Sequence, residues 1–378
     1  MPLCDGPRVY PRAVSDLRDD LGLDPVPGDG ERPRRRLRER KVLLAVLGSL
    51  VALAVLVVGG AAVLAARLDA NVERIEDPFE ALPTRPAVPT PDEDAAEGTP
   101  GTPVNILVLG SDSRVSAGDP SQWEAGAQRT DVMMLVHLPA DGGAGYVMSL
   151  PRDSWVDIPG HGQAKLNAAF SLGGPTLLLQ TVEALTGVRV DHFAMADFES
   201  FVAITDALGG VRIDLQDDLV QRGELIASAG EQRLTGEQAL VWVRQRKNLA
   251  RGDFDRVQRH QAWIRAMVQQ ARDSGTLADP TRWYPLLDAV TNAVAVDPGL
   301  DRNRMIELLM RVRDVSGADL HFFTVPLDGT GTSADGQSIV VLDRPQFDAL
   351  MTAVREDRVD EYLARNPDEV DRLPAQAP

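Results

Sequence analysis

Arginine and aspartate recur just outside the apolar runs of this chain, and that mixture is where chemistry could be done. The run Val104–Leu109 ends in Gly110-Ser111-Asp112-Ser113-Arg114, Arg129-Thr130-Asp131 precedes Val132–Leu138, and Pro151-Arg152-Asp153 follows Tyr146–Leu150. Carboxylates are hard oxygen ligands suited to Mg²⁺, and guanidinium forks hold phosphate oxygens bidentately. Plain Arg–Asp pairing at strand ends is the competing reading of these residues.

A second cluster shifts the balance. Thr235-Gly-Glu-Gln238 is a capping box opening a helix that runs into Arg244-Gln245-Arg246. Arg251-Gly252-Asp253 then breaks the chain, and Asp253 is placed to cap the next helix. On that helix Val257, Ile264 and Val268 mark the expected core stripe; Arg256 and His260 flank it and Arg259 points away, which favours Arg256 as a site residue. An Arg in a first helical turn opposes the macrodipole by ~0.3–1 kcal/mol, and a bound anion reverses that sign. Arg244, Arg246 and Arg256 near one helix start therefore suggest a phosphate-rich ligand, against solvated helix-end arginines as the alternative. Lys165 is one of three lysines beside 36 arginines, which suggests a role that Arg does not fill. The chain has no phosphate-binding G-x-x-x-x-G-K-[ST] loop, no H-E-x-x-H and no G-x-S-x-G, and its five histidines lack ligand spacing. Its single cysteine, Cys4, excludes an intramolecular disulfide and a cysteine-built zinc site.

These residues need elements to position them. The Gly-rich stretch Pro139 to Gly145 suits a hairpin between the second and third apolar runs. If the first two runs also pair antiparallel, Asp112, Arg129, Asp131 and Arg152 all arrive at one end of the sheet. Further strands are expected at 188–193, 211–215, 320–325 and 339–342, and helices at 175–185, 197–208, 235–246 and 253–272. The resulting fold class is an α/β (α+β) layered sandwich, a mixed central sheet flanked by helices, preceded by one transmembrane helix.

That last element is legible in charge and hydropathy. Residues 42–66 run without a charge and would span about 37 Å as a helix, enough for a bilayer core. Seven cationic residues crowd the N-terminal flank between Arg32 and Lys41, which puts residues 1–41 in the cytoplasm and the remainder outside. The net charge of -17 resolves into +2 over residues 1–41 and -19 beyond them, which argues against a nucleic-acid partner. The expected layout is a disordered tail with a basic juxtamembrane cluster (1–41), the span (42–66), a Pro-rich acidic linker (67–102), one extracytoplasmic domain (103–364) and a frayed tail (365–378).

In these motifs the sequence resembles the LytR-CpsA-Psr family of envelope glycopolymer transferases. The matching runs are NILVLGSDSR (105–114), RTDVMMLVHL (129–138), SLPRDSWVDIPG (149–160), KLNAAF (165–170), ITDALGGVRID (204–214) and LTGEQALVWVRQRKNLARGDFDRVQRHQ (234–261), covering residues 104–272. The resemblance implies a membrane-anchored phosphotransferase that joins a glycopolymer, carried on polyprenyl pyrophosphate, to peptidoglycan through a phosphodiester bond. It implies that Asp112 and Asp131 hold Mg²⁺ and that Arg129, Arg152, Arg244, Arg246 and Arg256 bind the pyrophosphate. Asp112, Asp131 and Arg152 are the implied catalytic residues; Arg114, Lys165 and His260 are further candidates, and the lipid would lie in an apolar groove between sheet and helices. The family commonly carries Gln where this chain has His260, a departure that touches the polar contact beside Arg256. A pyrophosphatase using water in the same site, and a non-catalytic lipid-phosphate-binding regulator, stand as alternatives.

Overall fold

The computed structural model describes residues 67, 70–71, 73–87, 101–111, 130–245, 249–273, 286, 288–292, 294–312 and 319–378. All belong to one unit spanning residues 65–378. Residues 1–41 and the apolar segment 42–66 lie outside the described residues, among which no helix is long and apolar enough to cross a membrane.

In chain order the first strands are Glu73–Arg74 (β1), Val104–Ser111 (β2), Thr130–Leu138 (β3), Gly145–Ser149 (β4), Trp155–Ile158 (β5) and Gly162–Lys165 (β6). Helix Leu166–Thr186 (α1), strand His192–Asp197 (β7) and helix Phe198–Ala207 (α2) follow, then Val211–Leu215 (β8), Leu219–Gln221 (β9), Glu224–Ala227 (β10) and Gly230–Leu234 (β11). Helices Gly236–Arg244 (α3) and Asp253–Asp273 (α4) precede Val294–Val296 (β12) and helix Arg302–Val312 (α5). The rest comprises Leu320–Thr324 (β13), Leu327–Thr332 (β14), Ser338–Leu342 (β15), helices Arg344–Arg355 (α6) and Val359–Arg365 (α7), and Asp371–Arg372 (β16).

Eight of these strands form one mixed sheet in the order β1-β12-β7-β2-β3-β4-β13-β16. The expected antiparallel β2–β3–β4 meander is at its centre, with Ser111 opposite Thr130 and Met134 opposite Ser149. The end of β2, the start of β3 and the end of β4 therefore share one end of the sheet. Alternation along the strands separates two faces. Leu107, Leu109, Met133, Leu135 and Met148 are at most 1% exposed and pack under α1, α6 and α7. On the opposite face Ile106, Val108, Val132 and Val136 stay half-buried beside Ile264 of α4 and Met305 of α5.

Several boundaries differ from the sequence expectation, each for a physical reason. The strand expected at 188–193 begins at His192: Val188 and Val190 are fully buried in the approach to it, so their hydrophobicity reports burial and not pairing. The helix expected at 175–185 extends back to Leu166 through a break at Gly173–Gly174, where Gly174 has φ 62° and ψ -157°, a conformation essentially restricted to glycine. Pro175 restarts the helix, as its fixed φ allows.

The expected linker 67–102 is in part structural. β1 adds to β12 in parallel, Ile75 is 2% exposed, and the Arg85 guanidinium bonds Glu183 at 2.8 Å. The expected frayed tail 365–378 is a strap. β16 pairs antiparallel with β13, Leu373 N–H donates to Phe322 O, and Ala377 is 2% exposed. Its prolines suit an extended strand at the margin of a fold, where no ladder donor is needed.

The core stripe expected on α4 is also corrected. Val257, Ile264 and Val268 are only half-buried, whereas Arg256, Arg259, His260, Trp263, Ala266, Met267 and Gln270 are buried. The helix is enclosed by the sheet, α3 and the C-terminal strap, so its buried face includes polar residues that hydrogen-bond those neighbours.

Candidate phosphate-binding site

The loop after β4 is held by three backbone hydrogen bonds. Leu166 N–H donates to Ser154 O at 2.8 Å, Asn167 N–H to Arg152 O at 3.0 Å, and Val340 N–H to Asp153 O at 2.9 Å. Backbone groups from α1 and β15 thus fix Arg152 and Asp153 with little freedom. Ser149, at the end of β4, receives Gln261 Nε2 on its hydroxyl at 2.8 Å, which ties this end of the sheet to α4.

Arg152 and Arg256 meet at this point although 104 residues separate them in sequence. Arg256 Nη2 lies 2.7 Å from Asp253 Oδ1, and Arg152 Nη2 lies 3.6 Å from the same oxygen. Asp253 is the first residue of α4 and not its cap, and from there it bridges the two guanidinium groups. Asp153 extends the network: its Oδ1 is 3.2 Å from Lys165 Nζ and its Oδ2 3.7 Å from Arg152 Nε. Lys165 occupies the N-cap position of α1, where its charge opposes the helix dipole and Asp153 offsets it.

His260 sits one turn along α4 from Arg256 and is 6% exposed. Burial, reinforced by the Arg256 and Arg152 charges, pushes its imidazole down to about 3. It is therefore neutral at physiological pH, and its ring packs 5.7 Å from that of Phe198. Arg244, exposed at the end of α3, lays its guanidinium 5.1 Å from the other occupant of this cluster, the Phe198 ring. The capping box that starts α3 is formed as expected, with Thr235 and Gln238 bonding each other's backbone.

Of the residues singled out in the sequence, the structure thus brings together Arg152, Lys165, Arg244, Arg256 and His260. Asp112, Arg114, Arg129 and Arg246 lie outside the described residues. For Asp131 the backbone is described: Gly110 pairs with Val132 and Ser111 with Thr130, so Asp131 is the extra residue of a β-bulge. Bulges re-aim a side chain at the end of a ladder. The backbone thus brings position 131 beside the end of β2. Asp153 and Asp253 were not singled out as site residues. Their signal was present as Asp directly after Arg152 and as an i,i+3 Asp–Arg pair in a first helical turn.

Arg259, which the spacing aimed away from the site, is buried and structural. Its Nη1 donates to Trp242 O at 2.8 Å, its Nε to Pro378 O at 2.5 Å, and its guanidinium lies over the Trp242 ring. Burial draws its ionisation down to about 10.

The chain's sequence and fold, with this cluster at one end of the sheet, can be set beside known proteins. The LytR_cpsA_psr family model matches residues 84–356. The chain belongs to this family. It is 32% identical over 300 residues to the cell wall biosynthesis protein LcpA of Corynebacterium glutamicum, covering 68% of this chain and 56% of that protein, so the chain matches little more than half of LcpA's length. Among solved structures, protein gbs0355 from Streptococcus agalactiae superposes with a TM-score of 0.58 at 24% identity, covering 68% of this chain and 88% of that one. The TagT structure with bound octaprenyl pyrophosphate lipid superposes with a TM-score of 0.54 at 20% identity, covering 73% and 97%. This LytR-CpsA-Psr chain therefore has the family's mixed sheet, with its helices on both faces.

Proposed function

We propose that this protein is a phosphotransferase moving a glycopolymer from a polyprenyl-pyrophosphate carrier onto peptidoglycan, anchored in the cell membrane by residues 42–66 with its domain outside. The observation that carries this reading is the convergence of Arg152 and Arg256 on Asp253, at the end of a sheet whose α4–α5 face carries the half-buried row Ile106, Val108, Val132 and Val136. Guanidinium groups suit a pyrophosphate, and an incompletely covered apolar sheet face suits a prenyl chain. LcpA's role in cell wall biosynthesis and TagT's bound lipid support the same assignment.

In the reaction, an acceptor hydroxyl oxygen attacks the phosphorus that carries the glycopolymer. A new P–O bond forms, and the bond from that phosphorus to the bridging oxygen breaks. Polyprenyl phosphate leaves with that oxygen and the electron pair, and the hydroxyl proton passes to a carboxylate of the site. Arg152 and Arg256 hold the pyrophosphate oxygens and offset the charge that builds on the leaving phosphate, the principal catalytic contribution in phosphoryl transfer. Asp112 and Asp131 would hold Mg²⁺, which when bound supplies further charge neutralisation. Arg129, Arg244 and Arg246 are assigned to the same phosphate set, with Arg114 and Lys165 as further candidates.

The test is a purified full chain incubated with lipid-linked glycan and Mg²⁺, with and without peptidoglycan. Acceptor-dependent phosphodiester product supports the assignment. Polyprenyl phosphate released equally without acceptor marks a pyrophosphatase instead, and retained lipid without any product marks a binding protein.

A further inference from the structure

The hairpin β5–β6 follows the phosphate cluster directly and is two-faced. Val156 and Ile158 point inward and are 4% and 1% exposed among the α1-side core. The other face carries half-buried Trp155 and Lys165, which pair across the strands, and exposed Asp157 and Gln163, which also pair. The Trp155 indole N–H donates to Gln163 Oε1 at 3.2 Å, which fixes the plane of the ring. Lys165 links this face to Asp153 at 3.2 Å and so to Arg152.

An oriented indole among an amide, a carboxylate and an ammonium has the composition of a saccharide platform. The ring face takes the C–H side of a pyranose while the polar groups take its hydroxyls. Position decides which saccharide. The half-buried row assigned to the prenyl chain is on the α4–α5 face of the sheet, whereas the hairpin packs its inner side into the core of the opposite face. In phosphoryl transfer the attacking and leaving oxygens lie roughly in line. With polyprenyl phosphate leaving on the α4 side, the attacking hydroxyl enters from the hairpin side. Resting on the function proposed above, we infer that the outer face of β5–β6, centred on Trp155 and Gln163, binds the peptidoglycan acceptor glycan.

The test uses the full chain and two probes, a peptidoglycan tetrasaccharide of two GlcNAc–MurNAc repeats and undecaprenyl pyrophosphate. Saturation-transfer NMR and titration calorimetry read the first, and lipid co-purification the second. Trp155→Ala is expected to weaken tetrasaccharide binding about tenfold or more, Trp155→Tyr to stay within about threefold, and Gln163→Ala, at an exposed position, to weaken it by about threefold. All three variants should retain undecaprenyl pyrophosphate. Unchanged tetrasaccharide affinity in Trp155→Ala and Gln163→Ala overturns the inference, as does equal loss of both probes. Absence of tetrasaccharide binding by the wild-type chain overturns it too. Failure of the lipid arm alone would instead refute the phosphotransferase reading and leave the saccharide result standing.

Discussion

Replacing His260 by Gln should change how the protein responds to acid, and the sign follows from burial. The imidazole is 6% exposed, with Arg256, Arg152 and Arg259 as its charged neighbours, and its folded value falls to about 3 from the ordinary 6.5. Between those values the unfolded chain binds a proton that the folded chain refuses, so stability is lost as pH falls below 6.5. At one proton per residue the slope is about 1.4 kcal/mol per pH unit, which makes the loss from pH 7 to pH 5 about 2 kcal/mol. Gln keeps a polar side chain at this position, and it does not titrate. Urea denaturation of the full chain at both pH values should therefore show wild type losing about 2 kcal/mol more than His260→Gln. His321, which burial and Arg372 also push down, contributes equally to both proteins and cancels in the difference. The same acid loss in the two proteins would refute the buried, neutral histidine beside the arginine pair.

Other substitutions separate the site from its support. Arg152→Ala and Arg256→Ala should each weaken undecaprenyl pyrophosphate binding about 10- to 100-fold, the value of one charge-assisted contact set, with circular dichroism unchanged. Arg259→Ala should instead lower stability by about 3 kcal/mol, read from denaturant midpoints, because it strips Trp242 O and Pro378 O of a buried charged donor. Gly174→Ala should cost about 1–3 kcal/mol, since φ 62° with ψ -157° is strained for any side chain, and a melting temperature equal to wild type would contradict the break in α1.

How much of this was legible in the sequence depended on the range of the interactions. The β2–β3–β4 meander follows from short apolar runs and one Gly-rich turn, so its pairing and the shared sheet end were accessible from local pattern. The capping box of α3 and the role of Asp197 as cap of α2, accepting from Ser200 N–H at 2.7 Å, are equally local. The buried face of α4 was not. Its apolar residues at 257, 264 and 268 point to one stripe, and the helix buries another, because the partners of Arg259, Gln258 and Arg265 are main-chain and carboxylate oxygens far along the chain. Hydrophobic periodicity reports burial against apolar neighbours only. The C-terminal strap failed for a related reason: proline and small residues read as a loose end, while the contacts that hold it come from β13 and α4.

The polar face of α4 is also what makes its arginines useful. The strap and α3 fix the helix through Arg251, Gln258 and Arg259: Asp371 takes Arg251 at 3.0 Å and Gln258 at 3.1 Å, and Trp242 O takes Arg259. Arg256 is thereby carried on a helix whose first turns are pinned from outside the site, while Arg152 is pinned by three backbone hydrogen bonds to its loop. Two guanidinium groups held this close would repel each other without a counterion, and Asp253 supplies one to both. A single carboxylate carries one negative charge and a pyrophosphate carries more, on oxygens that both forks can reach. Under the function proposed above, binding would exchange this carboxylate for a more highly charged anion and would require little rearrangement. In a chain whose net charge is -17, that local arrangement, and not the overall field, would select a phosphate under the function proposed above.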